Sequence, residues 1–111
     1  MKYAAFVVCS WLAIAITGMA VVAAPDPTVT AQLFKFRPDQ LEIAPGTRVM
    51  FTNQDEIAHT VTSGTPEKPD RAFDLRLDGK GTSGGFTFTR PGVFSYFCAR
   101  HPAMRGTVHV N

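Results

Sequence analysis

The chain has 111 residues, a formal net charge of +2 and 18% charged side chains, with lysines and arginines spread along its length. No cluster of basic residues is dense enough to suggest nucleic-acid binding, so no nucleic-acid partner is predicted. The 87 residues from Pro25 to Asn111 contain no internal repeats or linkers. They are enough for one small domain with a single hydrophobic core.

The first two dozen residues have the composition of a secretory signal. Lys2 opens a short basic region, an apolar run follows over residues 3–24, and small residues precede Pro25. We predict a signal peptide at residues 1–23, cut after Ala23 or Ala24, and a periplasmic domain at residues 24–111 with no stable membrane insertion. Because the run approaches the roughly 20 apolar residues that cross a bilayer, an uncleaved anchor is the alternative.

Cysteine usage separates the leader from the domain. Cys9 belongs to the leader, and Cys98 is the single cysteine of the predicted exported domain. Cysteines in an oxidising compartment normally form disulfides, so an unpaired secreted thiol needs another explanation. A bound metal provides one, because coordination deprotonates the sulfur and shields it.

From Thr28 onward apolar residues recur with a period of two, as in Phe34 and Phe36, or Val108 and Val110. Turn signals at Pro45-Gly46 and elsewhere separate these short runs, and no stretch after the leader has a helical stripe. The pattern predicts an all-β fold, a two-sheet antiparallel Greek-key sandwich, in which the phenylalanines are core residues.

The phase of this alternation brings possible ligands together. Cys98 shares an inward face with Tyr96 on the last-but-one strand, and His59 lies on an inward face of an earlier strand. We expect the turn after Cys98 to bring His101 and Met104 around the end of the sandwich. Side chains from two strands and one connecting loop then meet at one pole.

The spacing Cys98-x-x-His101-x-x-Met104, with His59 upstream, supplies the donors of a blue-copper site. Taken singly, a buried cysteine or methionine is usually a core residue. A zinc site formed by His59, Cys98 and His101 is a further alternative, although zinc has no use for the thioether. Four protein ligands leave no open position for a substrate, which argues against an enzyme.

Two longer motifs surround these residues: Val49-x-Phe-x-Asn-x-Asp-x-x-x-His59, and Phe86-x-Phe-x-x-Pro-Gly-x-Phe-x-Tyr-x-Cys98-x-x-His101-x-x-Met104. They resemble the cupredoxins of the plastocyanin, amicyanin and pseudoazurin group, and the short ligand loop resembles that of the amicyanins. The resemblance implies one copper ion, Cu(I)/Cu(II), bound by two imidazoles, a thiolate and an axial thioether.

The same resemblance implies a small soluble monomer that shuttles single electrons between transient redox partners such as a cytochrome, a dehydrogenase or an oxidase. A copper-binding module for trafficking or tolerance is the alternative. Many family members have Asn after the first histidine ligand and Ser or Thr after the cysteine, and these tie the ligand loops together. Thr60 and Ala99 stand there instead, which leaves the reduction potential open.

Other polar or soft side chains are predicted to serve the fold. His109 and Met50 fall on outward phases of their strands and are not expected to bind metal. Asp55 and Glu56 fall in a turn, where acids commonly cap backbone amides. Phe97 has an outward phase and is a candidate to pack beside the site.

Overall fold

The computed structural model of the protein describes residues 10–18 and 25–111. Within these residues there are strands but no helix, so none has the length and apolar character needed to cross a bilayer. The strands are β1 Thr28–Gln32, β2 Lys35–Arg37, β3 Gln40–Ile43, β4 Thr47–Asn53, β5 His59–Gly64, β6 Pro69–Leu77, β7 Ser83–Phe88, β8 Gly92–Cys98 and β9 His101–Val110. The all-β prediction is confirmed. The predicted cleavage after Ala23 or Ala24 lies outside the described residues.

The strands form two sheets, as predicted. One contains four strands in the order β2-β1-β4-β7, and the other contains five in the order β3-β9-β8-β5-β6. Most neighbours are antiparallel, but β1 pairs with β4 and β3 pairs with β9 in parallel. The alternation did not reveal these two pairs, because it reports which side chains face inward and not the direction of the neighbouring strand.

The hydrophobic core combines buried side chains from both sheets. At its centre Tyr96 of β8 meets Phe36 of β2 and Phe51 of β4 edge-on, with ring centroids 4.9 and 5.3 Å away. Burying one large apolar side chain contributes about 1.5–3 kcal/mol, so this core is a major source of stability for the sandwich. Its members are Val29, Ala31, Phe36, Ile43, Val49, Phe51, Val61, Phe73, Leu77, Phe88, Tyr96, Cys98, Met104, Val108 and Val110.

Phe34 is not a core residue, and the prediction that placed it there was wrong. It lies in the two-residue turn between β1 and β2 and is 46% exposed. Both turn residues have positive φ, 52° at Leu33 and 58° at Phe34. Hairpin turns of this kind normally use Asn-Gly, because a left-handed conformation costs other residues about 1–2 kcal/mol. The apolar run concealed the turn.

Candidate metal centre

The order of the strands in the five-stranded sheet brings three sequence-predicted residues together. His59 is the first residue of β5, Cys98 is the last of β8, and His101 is the first of β9. Strand β8 lies between the other two and is antiparallel to both. Because the direction reverses at each neighbour, the end of β8 lies beside the beginnings of β5 and β9.

His101 and Met104 lie within a strand, not in a connecting loop as expected. Only two residues, 99 and 100, separate β8 from β9, and Cys98 pairs directly with His101. The next pair along the ladder is Phe97 with Arg105, so residues 102–104 form a bulge. Pro102 cannot donate to a ladder, which favours a bulge here. Met104 is 2% exposed at the end of this bulge.

The three donor atoms are close to one another. Sγ of Cys98 lies 3.8 Å from Nδ1 of His59 and 3.7 Å from Nδ1 of His101. All three donors fall within 4.8 Å of one another. His59 and Cys98 are fully buried and His101 is half-buried, so the cluster opens to the surface on the His101 side.

These distances fit a metal held by all three residues. First-row metals bind imidazole nitrogen at about 2.0 Å and thiolate at about 2.3 Å. Two such bonds at 120° separate the donors by about 3.7 Å, which matches both sulfur–nitrogen distances. Two nitrogens, a thiolate and a buried thioether form the donor set of trigonal copper sites with a weak axial ligand. The residues present therefore fit copper.

Asp55 contacts the far side of the first imidazole, with Oδ2 2.7 Å from Nε2 of His59. Its two oxygens also accept the backbone N–H groups of Leu33, at 2.8 Å, and Phe34, at 3.0 Å. Burial acts to raise the pKa of Asp55, but the bonds from Phe34, His59 and Leu33 outweigh it and the pKa is lowered. A carboxylate bonded to the second ring nitrogen fixes the tautomer of a ligand histidine and leaves Nδ1 for the metal.

The sequence prediction for Asp55 was correct but incomplete. The acid caps backbone amides, as expected for a turn residue, but those amides belong to the distant β1–β2 turn. Its contact with His59 follows from their spacing of four residues across the turn. Sequence reasoning missed this role because no sequence pattern predicts the turn geometry that brings the Asp55 carboxylate to the His59 ring.

Phe34 is the second residue that sequence reasoning missed. Its ring meets His59 edge-on with centroids 5.5 Å apart, and meets His101 in the same way at 5.0 Å. The strained turn held by Asp55 therefore places the Phe34 ring in edge-on contact with both imidazoles. Positive φ at adjacent non-glycine residues often marks functional sites, but it cannot be read from sequence.

Thr60 and Ala99, the two departures from the usual pattern, still connect the ligand segments. The Thr60 hydroxyl accepts the backbone N–H of Ala99 at 2.8 Å. In return the backbone N–H of Thr60 points at Sγ of Cys98 at 3.4 Å. One hydroxyl and two backbone amides thus connect the ligand segments. In many members of the family that the sequence resembles, an Asn and a Ser or Thr side chain make this connection.

His109 and Met50, the two residues set aside as non-ligands, are not part of the donor cluster. His109 does not belong to the cluster of His59, Cys98 and His101. Its Nε2 lies 2.7 Å from Oε1 of Gln40 on the neighbouring strand. Met50 is half-buried on β4, in the opposite sheet. Phe97 is 5% exposed despite its outward phase, between Thr62 and Arg105 on the adjacent strands.

Comparison with known proteins agrees with this geometry. Residues 24–111 match the family described as copper binding proteins of the plastocyanin/azurin family. The chain belongs to this family. As a cupredoxin it has the fold of the family and uses copper as its metal.

Individual cupredoxins resemble the chain at moderate identity. Amicyanin from Paracoccus versutus is 29% identical over 102 residues, which cover 87% of this chain and 77% of that protein. A purple cupredoxin from Nitrosopumilus maritimus superimposes with a TM-score of 0.70 at 28% identity, covering 78% of this chain and all of that one. The reduced Cu(I) form of an amicyanin variant also gives 0.70 at 28% identity, covering 83% and 88%. This cupredoxin therefore resembles amicyanin in both sequence and structure.

Proposed function

We propose that this cupredoxin is a type 1 copper electron carrier in which His59, Cys98, His101 and Met104 bind one copper ion. The observation that carries the proposal is the trigonal set of two Nδ1 atoms and one Sγ, with sulfur–nitrogen distances of 3.7 and 3.8 Å. Copper in such a set supplies one-electron chemistry by alternating between Cu(I) and Cu(II). With Met104 as the fourth ligand, no position is left for a substrate.

The residues around the donors favour electron transfer because they restrain the donor side chains. His59 and Cys98 lie on paired strands, Asp55 holds the His59 ring, and Phe34 packs against both imidazoles. A site whose ligands are fixed by the fold does not rearrange when the charge on the metal changes. The protein therefore keeps the reorganisation energy of electron transfer small, which is the property that a carrier needs.

The half-exposed His101 is the proposed route for the electron. Phe34, which is 46% exposed, meets its ring edge-on. Leu33, the other residue of the same turn, is 70% exposed, and Ile57, two residues before His59, is 43% exposed. Pro102 is also exposed. Redox encounters use small interfaces that dissociate quickly. We infer brief docking of a cytochrome, a dehydrogenase or an oxidase here, by a monomer that works in the periplasm after removal of residues 1–23.

Copper trafficking uses the same residues, so the test must separate holding copper from releasing it. Cyclic voltammetry of the copper-loaded protein is expected to give a reversible one-electron wave. In the same preparation a Cu(I) chelator at modest excess is expected to remove little copper over many redox cycles. An irreversible wave, or rapid transfer of Cu(I) to the chelator, contradicts the carrier and supports the trafficking alternative.

A further inference from the structure

A row of hydroxyl groups on the outer face of β5 connects the copper-ligand turn to an acid on the edge strand. The N–H of Ala99 donates to Oγ1 of Thr60 at 2.8 Å, and this oxygen lies 2.9 Å from Oγ1 of Thr62. The Thr62 hydroxyl then donates to Oδ1 of Asp74 at 2.8 Å. We call these four residues the threonine relay.

The relay follows from strand periodicity. Residues two apart share one face of a strand, so Thr60 and Thr62 both point outward from β5. Asp74 is directly opposite Thr62 in the antiparallel ladder between β5 and β6. Side chains at opposite positions have Cβ atoms about 4.5–5.5 Å apart, which is close enough for a hydroxyl to reach a carboxylate.

The carboxylate fixes the direction of every bond in the relay. An ionised carboxylate only accepts, and each threonine hydroxyl has a single proton to donate. Thr62 gives its proton to Asp74, so its oxygen must accept from Thr60. Thr60 therefore directs its own proton toward Thr62 and presents its lone pairs to the N–H of Ala99. Without an acceptor at position 74, both hydroxyls are free to rotate.

From this arrangement we propose that Asp74 is a positioning residue for the copper centre, acting through Thr62 and Thr60 on the turn that carries Cys98. The relay holds the amide that directly follows Cys98. It also holds Thr60, whose own N–H points at Sγ of Cys98 at 3.4 Å. Hydrogen bonding around the cysteine sulfur tunes the potential of type 1 copper sites. The copper part of this inference rests on the proposed function, whereas the effect on the turn does not.

The neighbouring charges provide a matched control. Arg76 is opposite Thr60 in the same ladder, and its Nε donates to Oδ1 of Asp78 at 2.7 Å. Asp78 and Asp74 both line the cavity beside His59, but among the described residues only Asp74 bonds to a threonine of the relay. Replacing either acid removes one negative charge from this side of the site, and only one replacement removes the relay's acceptor.

The first test measures amide hydrogen exchange at Ala99 in the metal-free protein. Asp74 is exposed on an edge strand, so Asp74→Ala is expected to fold. It should speed exchange at Ala99 by about 2- to 10-fold, the effect of losing one net hydrogen bond. Asp74→Asn keeps an acceptor oxygen and should stay near wild type, as should Asp78→Ala. Equal rates in Asp74→Ala and Asp78→Ala overturn the proposal.

A double variant checks that the effect passes through Thr62. Thr62→Val removes the middle of the relay and should speed Ala99 exchange as much as Asp74→Ala does. Combining the two should add nothing further, because both break the same chain of bonds. Additive effects mean that Asp74 acts by a route other than the relay, and the proposal is then wrong.

The second test uses the copper-loaded protein and reads the reduction potential and the visible band. If Asp74 acts only by its charge, Asp74→Asn and Asp74→Ala shift the potential equally and leave the band in place. The relay predicts that Asp74→Ala also moves the band, while Asp74→Asn does not. Identical spectra and potentials in the two variants contradict the relay's effect on copper. A wild-type protein that fails to bind copper refutes the proposed function, and the exchange test still decides the relay.

Discussion

Cys98 is the residue on which the proposed chemistry depends. It is fully buried and unpaired among the described residues, and its sulfur faces two imidazole nitrogens. Cys98→Ser replaces a soft thiolate by a hydroxyl that stays protonated at neutral pH. We expect the intense visible absorption band to vanish even where some copper still binds, and His109→Gln to keep it. A band of unchanged intensity in Cys98→Ser contradicts the assignment.

Met104 has a weaker role. An axial thioether is a distant ligand, and leucine has a similar volume, so Met104→Leu should cost less than about 1.5 kcal/mol of stability. We expect the variant to bind copper, keep most of its colour and show a higher reduction potential, measured by voltammetry. If Met104→Leu cannot be loaded with copper, the thioether is needed to hold the metal and this account of it is wrong.

Asp55 and Glu56 are adjacent acids with different expected effects on stability. Asp55 accepts three hydrogen bonds and its side chain is 11% exposed, whereas Glu56 is 87% exposed and lies 3.8 Å from an exposed Lys80. Asp55→Ala should lower the free energy of unfolding of the metal-free protein by about 2–4 kcal/mol. Hydrogen bonds to a charged acceptor contribute about 1.5–3 kcal/mol each, and hydrogen bonds to water replace some of those that are lost. Urea unfolding measures this.

Glu56→Ala is the control for that experiment. A surface substitution away from structural features changes stability by about 0.5 kcal/mol or less. Losses of the same size in Asp55→Ala and Glu56→Ala would show that the β1–β2 turn does not depend on the carboxylate beneath it.

At the scale of the strands, the sequence was most informative where side chains alternate without interruption. Val49 and Phe51 alternate in β4, Val61 follows His59 two positions later in β5, and Phe94 and Tyr96 precede Cys98 in β8, so the inward faces of His59 and Cys98 were predicted correctly. The turn at Pro45-Gly46 was also predicted from its Pro-Gly pair, and Gly46 there adopts a φ of 87°. These features depend on local chemistry, which a single sequence displays.

The features that were missed depend on contacts between distant segments. Phe34 leaves the core because a carboxylate 21 residues away holds its turn. The bulge at residues 102–104 depends on how β9 pairs with β8, and the two parallel pairs depend on the path of the chain between sheets. No local pattern encodes such pairings, so the meeting of His59, Cys98 and His101 was predictable while the residues that position them were not.

For the whole molecule, most of the core is built from residues that are not metal donors. Of the fifteen core residues only Cys98 and Met104 belong to the donor set. We therefore expect the metal-free protein to stay folded, with an unchanged far-ultraviolet circular dichroism spectrum, and copper to raise its Tm by an amount that grows with the logarithm of the free copper concentration. A metal-free protein that is unfolded, as zinc fingers are without zinc, contradicts this.

In the proposed function one copper ion is held by the thiolate and two imidazoles at the end of the sandwich. Titration of the metal-free protein with Cu(II), followed by visible absorption, tests it most directly. We predict an intense blue band from thiolate-to-copper charge transfer that grows linearly and stops at one copper per chain. A colourless complex, or a band that does not saturate at one equivalent, would contradict it.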